Sequence, residues 1–257
     1  MSEFIKIAVD AMGGDNSPKK IIDGIIHNHK SNNKNFYKIF GDKDKIIKNI
    51  NGKVDPNNFE IVHTTNMVKS EDSPLEAAKR GKDTSMWMAI ESVKNKVCDI
   101  VISAGNTGAL LVISKLNLKM LENIDKPALS ALWPNKKGMS VVLDLGANID
   151  CSPKNLFDFS IMGASLYTSL YPNDKPNVAL LNIGSEELKG NEIIKETYQI
   201  LNEKKSNNYD FAGYIEGNQL MNGDINVIVS DGFTGNVALK TAEGTANFII
   251  KELKEAM

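Results

Sequence analysis

The 257 residues suit one large domain or two small ones, and such a length is ample for a sizeable core. With 42% hydrophobic and 24% charged residues, the composition is that of an ordinary globular protein. A net charge of −2 gives no case for nucleic acid, which usually needs a concentrated basic face, so no nucleic-acid partner is expected. No apolar run approaches the ~20 residues of a membrane helix. The N-terminus runs straight into a strand pattern rather than a secretory signal. Cys98 and Cys151 lie far apart and in no metal-ligand spacing, which fits a reducing cytoplasm, and no metal site or cofactor is expected.

In chain order, short β-branched apolar runs alternate with helical patterns. A strand at 4–10 is followed by a helix at 18–30, a strand at 36–40 by a helix at 42–50, and a strand at 59–63 by a helix at 85–95. A strand at 97–103 leads into a helix at 107–121. Strands at 128–133 and 139–145 precede a helix at 153–171. A strand at 177–183 and a helix at 187–205 follow, then strands at 212–216 and 225–230 and a last helix at 235–256. The alternation predicts an α/β fold, a mostly parallel sheet flanked by helices, over 1–257 as a single catalytic unit. Polar stretches at 30–35, 51–58 and 202–209 are short, and none divides the chain. Ser17-Pro18, Ser73-Pro74 and Ser152-Pro153 each read as a helix start. The serine accepts a first-turn N–H, and proline takes the position that needs none.

Two stretches share one spacing: Ser103-Ala-Gly105-Asn106-Thr107-Gly108 and Ser230-Asp231-Gly232-Phe233-Thr234-Gly235, 127 residues apart. Each reads as a strand turning sharply on glycines into a helix. Such a turn aims backbone N–H groups and a positive helix end at one spot, which suits phosphate. Two copies suggest two walls of one anion-binding cleft. Three further strands end in small polar loops: Asp10 to Asn16 with Gly13, Gly14 and Asp15, Asp144 to Asn148, and Asn182 to Glu186 with Gly184. Ligands of open α/β sheets bind beyond the carboxyl ends of the strands, although such loops also favour Gly, Asp and Asn for turn reasons alone.

Other templates fail. The chain has no G-x-x-x-x-G-K-[ST], no G-x-G-x-x-G opening a helix and no G-x-S-x-G. His27, His29 and His63 lie outside the glycine loops. The expected chemistry therefore uses neither a covalent nucleophile nor a metal. Lys82 (in Lys79-Arg80-Gly81-Lys82), Lys189 and Lys240 (one turn into the last helix) are candidate anion contacts, with a plain surface role as the alternative. Asp10 and Asp231 read either as bases or hydroxyl-binding groups, or as caps for neighbouring backbone.

Longer motifs carry a resemblance. Val9 to Asn16, Ile102 to Leu110, Leu143 to Asp150, Leu181 to Gly184 with Lys189 to Glu192, and Asp231 to Lys240 resemble the phosphate acyltransferases of bacterial phospholipid synthesis. The resemblance runs in order from Ile5 to about Gly244. It implies a fold like that of isocitrate/isopropylmalate dehydrogenases and phosphotransacetylases. It also implies transfer of a fatty acyl group from acyl carrier protein to inorganic phosphate, giving acyl-phosphate. A homodimer, peripheral contact with the cytoplasmic membrane and hand-over to a glycerol-3-phosphate acyltransferase are implied too. The family's pattern continues beyond position 257, so the chain is expected to be C-terminally incomplete relative to it.

On this reading Asn106, Asn236, Asp231 and Lys240 are the catalytic candidates. Phosphate and substrate contacts are expected from Asp10, Gly13, Gly14, Asp15, Lys82, Ser103, Gly105, Thr107, Gly108, Asn148, Gly184, Gly232, Thr234 and Gly235. Phosphate, placed against a thioester carbonyl, needs only positioning and oxyanion donors. The asparagine amides and the N–H groups of 105–108 and 232–235 are the expected donors, and Asp231 the group that orients phosphate or takes its proton. Lys79, Arg80 and Lys82 are candidates to meet the acidic carrier protein. A phosphotransacetylase-like enzyme using acyl-coenzyme A and a non-catalytic membrane-organising module are the alternatives.

Overall fold

A computed structural model describes residues 5–257, apart from the side chain of Arg80. One of the three expected carrier contacts therefore lies outside the described residues. Where a single unit was expected, the chain forms two compact units, Met1–Met120 and Leu121–Met257. Each has its own sheet, and both sheets are mostly parallel with helices against them.

The first unit alternates strictly at first. Strand β1 (Ile5–Asp10) leads to helix α1 (Lys19–Ser31), β2 (Asn35–Gly41) to α2 (Lys43–Ile50), and then comes β3 (Phe59–His63). Helices α3 (Pro74–Arg80) and α4 (Ser85–Lys94) precede β4 (Ile100–Ser103) and α5 (Thr107–Leu118). All four strands are parallel, in the order β3-β2-β1-β4. The two-residue period of β1 explains both of its faces: Ile7 and Val9 pack with Ile22 and Ile25 of α1, while Ala8 packs with Ala89 and Cys98. The chain steps from β1 to β2 to β3 on one side, then crosses back to place β4 on the other. The reversal falls between β1 and β4, the place where open α/β sheets bind ligands.

The second unit opens with a hairpin, β5 (Ser130–Asn135) antiparallel to β6 (Gly138–Leu143). It continues through α6 (Pro153–Leu170), β7 (Asn177–Asn182), α7 (Glu192–Glu203), β8 (Asp210–Glu216), β9 (Val227–Val229) and α8 (Gly232–Ala256). The strand order is β5-β6-β9-β7-β8, so the short β9 is inserted between β6 and β7 and pairs in parallel with both. Alternation again splits the core. Val141, Leu143, Val227 and Val229 meet Leu156 and Phe159 of α6, while Val142 and Ile228 meet Leu145 and the α8 side chains Leu239 and Ala242. Gly163 lets α6 lie directly on the sheet, because a Cβ there would stand 2.5 Å from Val227 Cγ1 and 2.8 Å from Leu143 Cδ2.

All nine expected strands form, with ends shifted by a few residues. The helices differ at their starts, for local reasons. The Ser73-Pro74 signal marks the start of α3 without its length; Ser73 Oγ accepts from Glu76 N at 3.3 Å and opens seven helical residues. α7 begins at Glu192 instead of 187, since Gly190 sits at φ +94° and Asn191 Oδ1 then caps Ile194 N at 2.9 Å. α8 begins at Gly232 instead of 235 because Asp231 is its cap. Ser152 forms a full capping box with Asn155, but Ser17 caps nothing. Its hydroxyl donates to Met12 O at 2.8 Å, and Pro18 takes the N-cap position of α1.

Candidate functional site

In the first unit the sequence brings Asp10, Gly13, Gly14, Ser103 and Gly105 together at the switch between β1 and β4. Asp10 is 1% exposed. One of its carboxylate oxygens accepts Ser103 Oγ–H at 2.7 Å, and the other accepts Met12 N–H at 3.2 Å. Ser103 Oγ in turn accepts Gly105 N–H at 3.1 Å. The two loops approach at backbone distance: a Cβ on Gly13 would lie 2.7 Å from Gly105 N, and one on Gly14 (φ +77°) would strike Ala104 O. Asp10 thus braces both strand ends from within and is not presented to a substrate.

Asn106 is the N-cap of α5. Its Oδ1 accepts Ala109 N–H at 3.0 Å, and its Nδ2 lies 2.9 Å from Asp72 O and 3.1 Å from Ser70 O. An amide nitrogen has two hydrogens, and these carbonyls engage them. Asn106, expected as an oxyanion donor, therefore ties the 69–72 segment to the helix start. Thr107 and Gly108 follow in the first helical turn, where backbone N–H groups have no intrahelical acceptor. The cap that precedes them is neutral. Asp15 and Lys82 are exposed.

The second turn has the same spacing and a different construction. Its cap, Asp231, stands where the first copy has Ala104, so α8 starts two positions earlier in the motif than α5 does. Asp231 Oδ1 accepts Thr234 N–H and Oδ2 accepts Thr234 Oγ–H, both at 2.8 Å. Gly232 N–H donates to Asn148 O at 2.8 Å and Gly235 N–H to Asp231 O at 3.0 Å. Of the four N–H groups expected to cradle phosphate here, three are taken by protein oxygens. A carboxylate already occupies the positive end of this helix.

The partner of this turn is the loop after β6, built around Asp144. Its side chain is fully buried. Oδ1 accepts the N–H groups of Leu129, Gly146 and Ala147, and Oδ2 accepts Asn148 N–H and Asn148 Nδ2–H, over 2.7–3.2 Å. A Cβ on Gly235 would strike Asp144 O, and one on Gly232 would lie 2.6 Å from Asn148 O. Asn236 Nδ2 donates to Leu145 O at 3.1 Å. Asn148, Gly232, Gly235 and Asn236 are thus brought together as a backbone joint. Asp144 was not among the expected site residues. The signal for it is a repeat: Val9-Asp10 and Leu143-Asp144 both end an apolar strand in aspartate just before glycine.

The remaining candidates lie apart from this joint. Gly184 sits in the loop after β7, where its Cβ would meet Glu186 and Lys189 side chains. Lys240, expected one turn into its helix, is two turns in because α8 starts early, about 12 Å from the first residue along the axis. It is exposed and pairs with Glu243 at 2.7 Å. Beside Asp231 is a cavity of about 320 Å³ whose lining includes Cys151, Leu156, Ile194, Phe233 and Thr234. Burial pushes the Cys151 thiol above its ordinary value, with Gly232 N–H pulling the other way and the Asp144 carboxylate adding to the rise. Among the described residues no group of three or more His, Cys, Asp or Glu could hold a metal ion, and no helix is long and apolar enough to cross a membrane.

A family profile described as fatty acid synthesis protein matches residues 5–257. The chain belongs to this family. Curated family members similar to it include the phosphate acyltransferase of Pelagibacter ubique, 76% identical over 257 residues that cover all of this chain and 77% of that protein. The phosphate acyltransferase of Maricaulis maris is 42% identical over 262 residues, covering all of this chain and 74% of its own. Among solved structures, a phosphotransacetylase from Streptococcus pyogenes superposes with a TM-score of 0.69 at 14% identity, covering 96% of this chain and 83% of that one. The EutD phosphotransacetylase from Staphylococcus aureus gives 0.67 at 14%, covering 95% and 83%. At such identities these two show that the family member shares their fold.

Proposed function

We propose that this acyltransferase moves a fatty acyl group from acyl carrier protein to inorganic phosphate, giving acyl-phosphate and free carrier. Membership of a family whose curated members are named phosphate acyltransferases carries the reading. A phosphate oxygen attacks the thioester carbonyl, the C–S bond breaks, and the carrier thiol leaves. Holding the two reactants in line is worth up to ~7–11 kcal/mol of barrier, and each oxyanion donor about 3–4 kcal/mol.

Of the two echoing turns, the one at α5 suits phosphate better. Its cap is the neutral Asn106, and its first-turn donors are Thr107 and Gly108. At α8 an anion would meet the Asp231 carboxylate instead. Asn106 and Asn236 act as positioning residues. Lys79 and Lys82, both exposed, are proposed to meet the acidic carrier. Homodimerisation, peripheral membrane contact and delivery to a glycerol-3-phosphate acyltransferase belong to the same proposal.

The experiment is an acyl-phosphate assay on the full chain with phosphate and either palmitoyl carrier protein or palmitoyl-coenzyme A. Higher kcat/KM with the carrier is the expected result. Equal or better use of coenzyme A establishes the phosphotransacetylase-like alternative, and no product with either donor overturns the assignment.

A further inference from the structure

Large apolar side chains that water should disfavour are gathered at one edge of the second unit. Ile149, in the loop after β6, is 69% exposed, Phe233, just beyond β9, 63%, and Ile193, beyond β7, 39%. Strands β6, β9 and β7 are neighbours in that order, so the three side chains rise from adjacent carboxyl ends. They stand around the 320 Å³ cavity described above, whose floor is Leu156, 1% exposed, and Ile194, 6% exposed. The loop that leads into this rim carries Ile183 and Leu188, 81% and 87% exposed. Polar groups share the cavity wall with these side chains: Asp150, Asn191, Asp231 and Thr234.

We propose that the cavity between Ile149, Leu156, Ile193, Ile194 and Phe233 is the acyl-chain subsite of this enzyme, and that Ile193 and Phe233 limit the chain length it accepts. The inference rests on the acyltransferase reading above and adds a location and a selectivity to it. A concavity with a buried apolar floor, an apolar rim and polar wall groups between them fits a linear aliphatic tail with one polar head. A second protein copy presents a broad surface and would cover the exposed rim without entering down to Leu156. Each methylene withdrawn from water is worth about a fourfold gain in affinity. Affinity therefore climbs with chain length until the cavity is full, and then levels.

Cys151 lines the same cavity and is 7% exposed, which supplies a readout independent of turnover. In a Cys98→Ala chain, the rate of Cys151 alkylation by iodoacetamide at pH 8.5 is measured against butyrate, octanoate, laurate and palmitate, each below its micelle concentration. The expected result is protection whose half-effective concentration falls with chain length and then levels. In Ile193→Trp the levelling moves to shorter chains, and in Phe233→Ala the long acids lose at least tenfold in potency. The same variants lower the ratio of palmitoyl to butyryl kcat/KM by at least tenfold in the acyl-phosphate assay.

Absence of protection by any fatty acid, in a chain that makes acyl-phosphate, overturns the subsite and leaves the acyltransferase reading standing. Graded protection without acyl-phosphate from any thioester upholds the subsite and sinks that reading. Protection that follows protein concentration instead of fatty acid identifies the rim as a contact between copies and overturns the proposal.

Discussion

Two turns with the same letters do different things. Ser103–Gly108 and Ser230–Gly235 match at four positions, yet one helix is capped by an amide and the other by a carboxylate. The first copy keeps a neutral cap ahead of Thr107 and Gly108. The second has its own anion in place and packs its glycines against the backbone of the Asp144 loop. Spacing alone makes a strand–turn–helix junction; the residue at the cap decides whether the positive helix end is available to a ligand.

The sharpest way to break this comparison is to weaken both braces. Asp144 receives five donors and Asp10 two. In Asp144→Asn the amide nitrogen faces donors it cannot accept from, and the expected loss is about 4 kcal/mol, against about 2 kcal/mol for Asp10→Asn. Equal urea midpoints for the two variants would show that the loops are braced alike. Glycine substitutions come next. Gly235→Ala forces a Cβ into Asp144 O and should cost about 3 kcal/mol. Gly244→Ala in the same helix meets nothing within 4 Å, so it should gain about 0.8 kcal/mol.

Asn106→Asp tests the cap itself. Aspartate caps as well as asparagine but places a second anion where phosphate is proposed to sit, and it gives up the bonds that Nδ2 donates to Ser70 O and Asp72 O, so the urea midpoint is read beside the KM. The phosphate KM should rise about tenfold, equivalent to about 1.4 kcal/mol, while an unchanged KM would move phosphate away from α5. The smallest effect concerns Cys151, whose thiol burial raises in the folded chain. Below the unfolded thiol value near 8.5 both states keep the proton and the contribution is complete. As pH rises beyond it the unfolded chain ionises first, so stability falls until the folded value is passed. Urea midpoints between pH 7 and 10 should therefore decline more steeply for the parent chain than for Cys151→Ala.

The strands were legible because β-branched runs such as Val227-Ile-Val229 have few other places to go once they are buried on both faces. The helix ends were less legible, since they depend on single side chains competing for the same N–H groups. Asp231 takes Thr234 N–H and starts α8 early. Ser17, with the same Ser-Pro signature as Ser152, finds the Met12 carbonyl instead. The division into two units was not legible because the polar stretch at the boundary, 119–127, reads as the end of a helix and a short connection to the next strand. At the candidate site the positions of the loops were legible and the partners of their side chains were not. Asn106 and Asn236 are where the motif requires them, but their amides serve neighbouring carbonyls that no spacing rule reveals. Asp144 differs from other strand-end aspartates only by its five donors, a property of the folded loop.

Gly163 gives α6 one more role. With no side chain between helix and sheet, the distance from α6 to β6 and β9 is fixed at that point by Leu143 and Val227 themselves. Leu156 lies seven residues back on the same helix, about 10 Å along its axis. Any side chain at position 163 would act as a wedge under a lever, and the far arm of that lever is the floor of the 320 Å³ cavity. The depth of the cavity is thus gauged at a residue that never lines it.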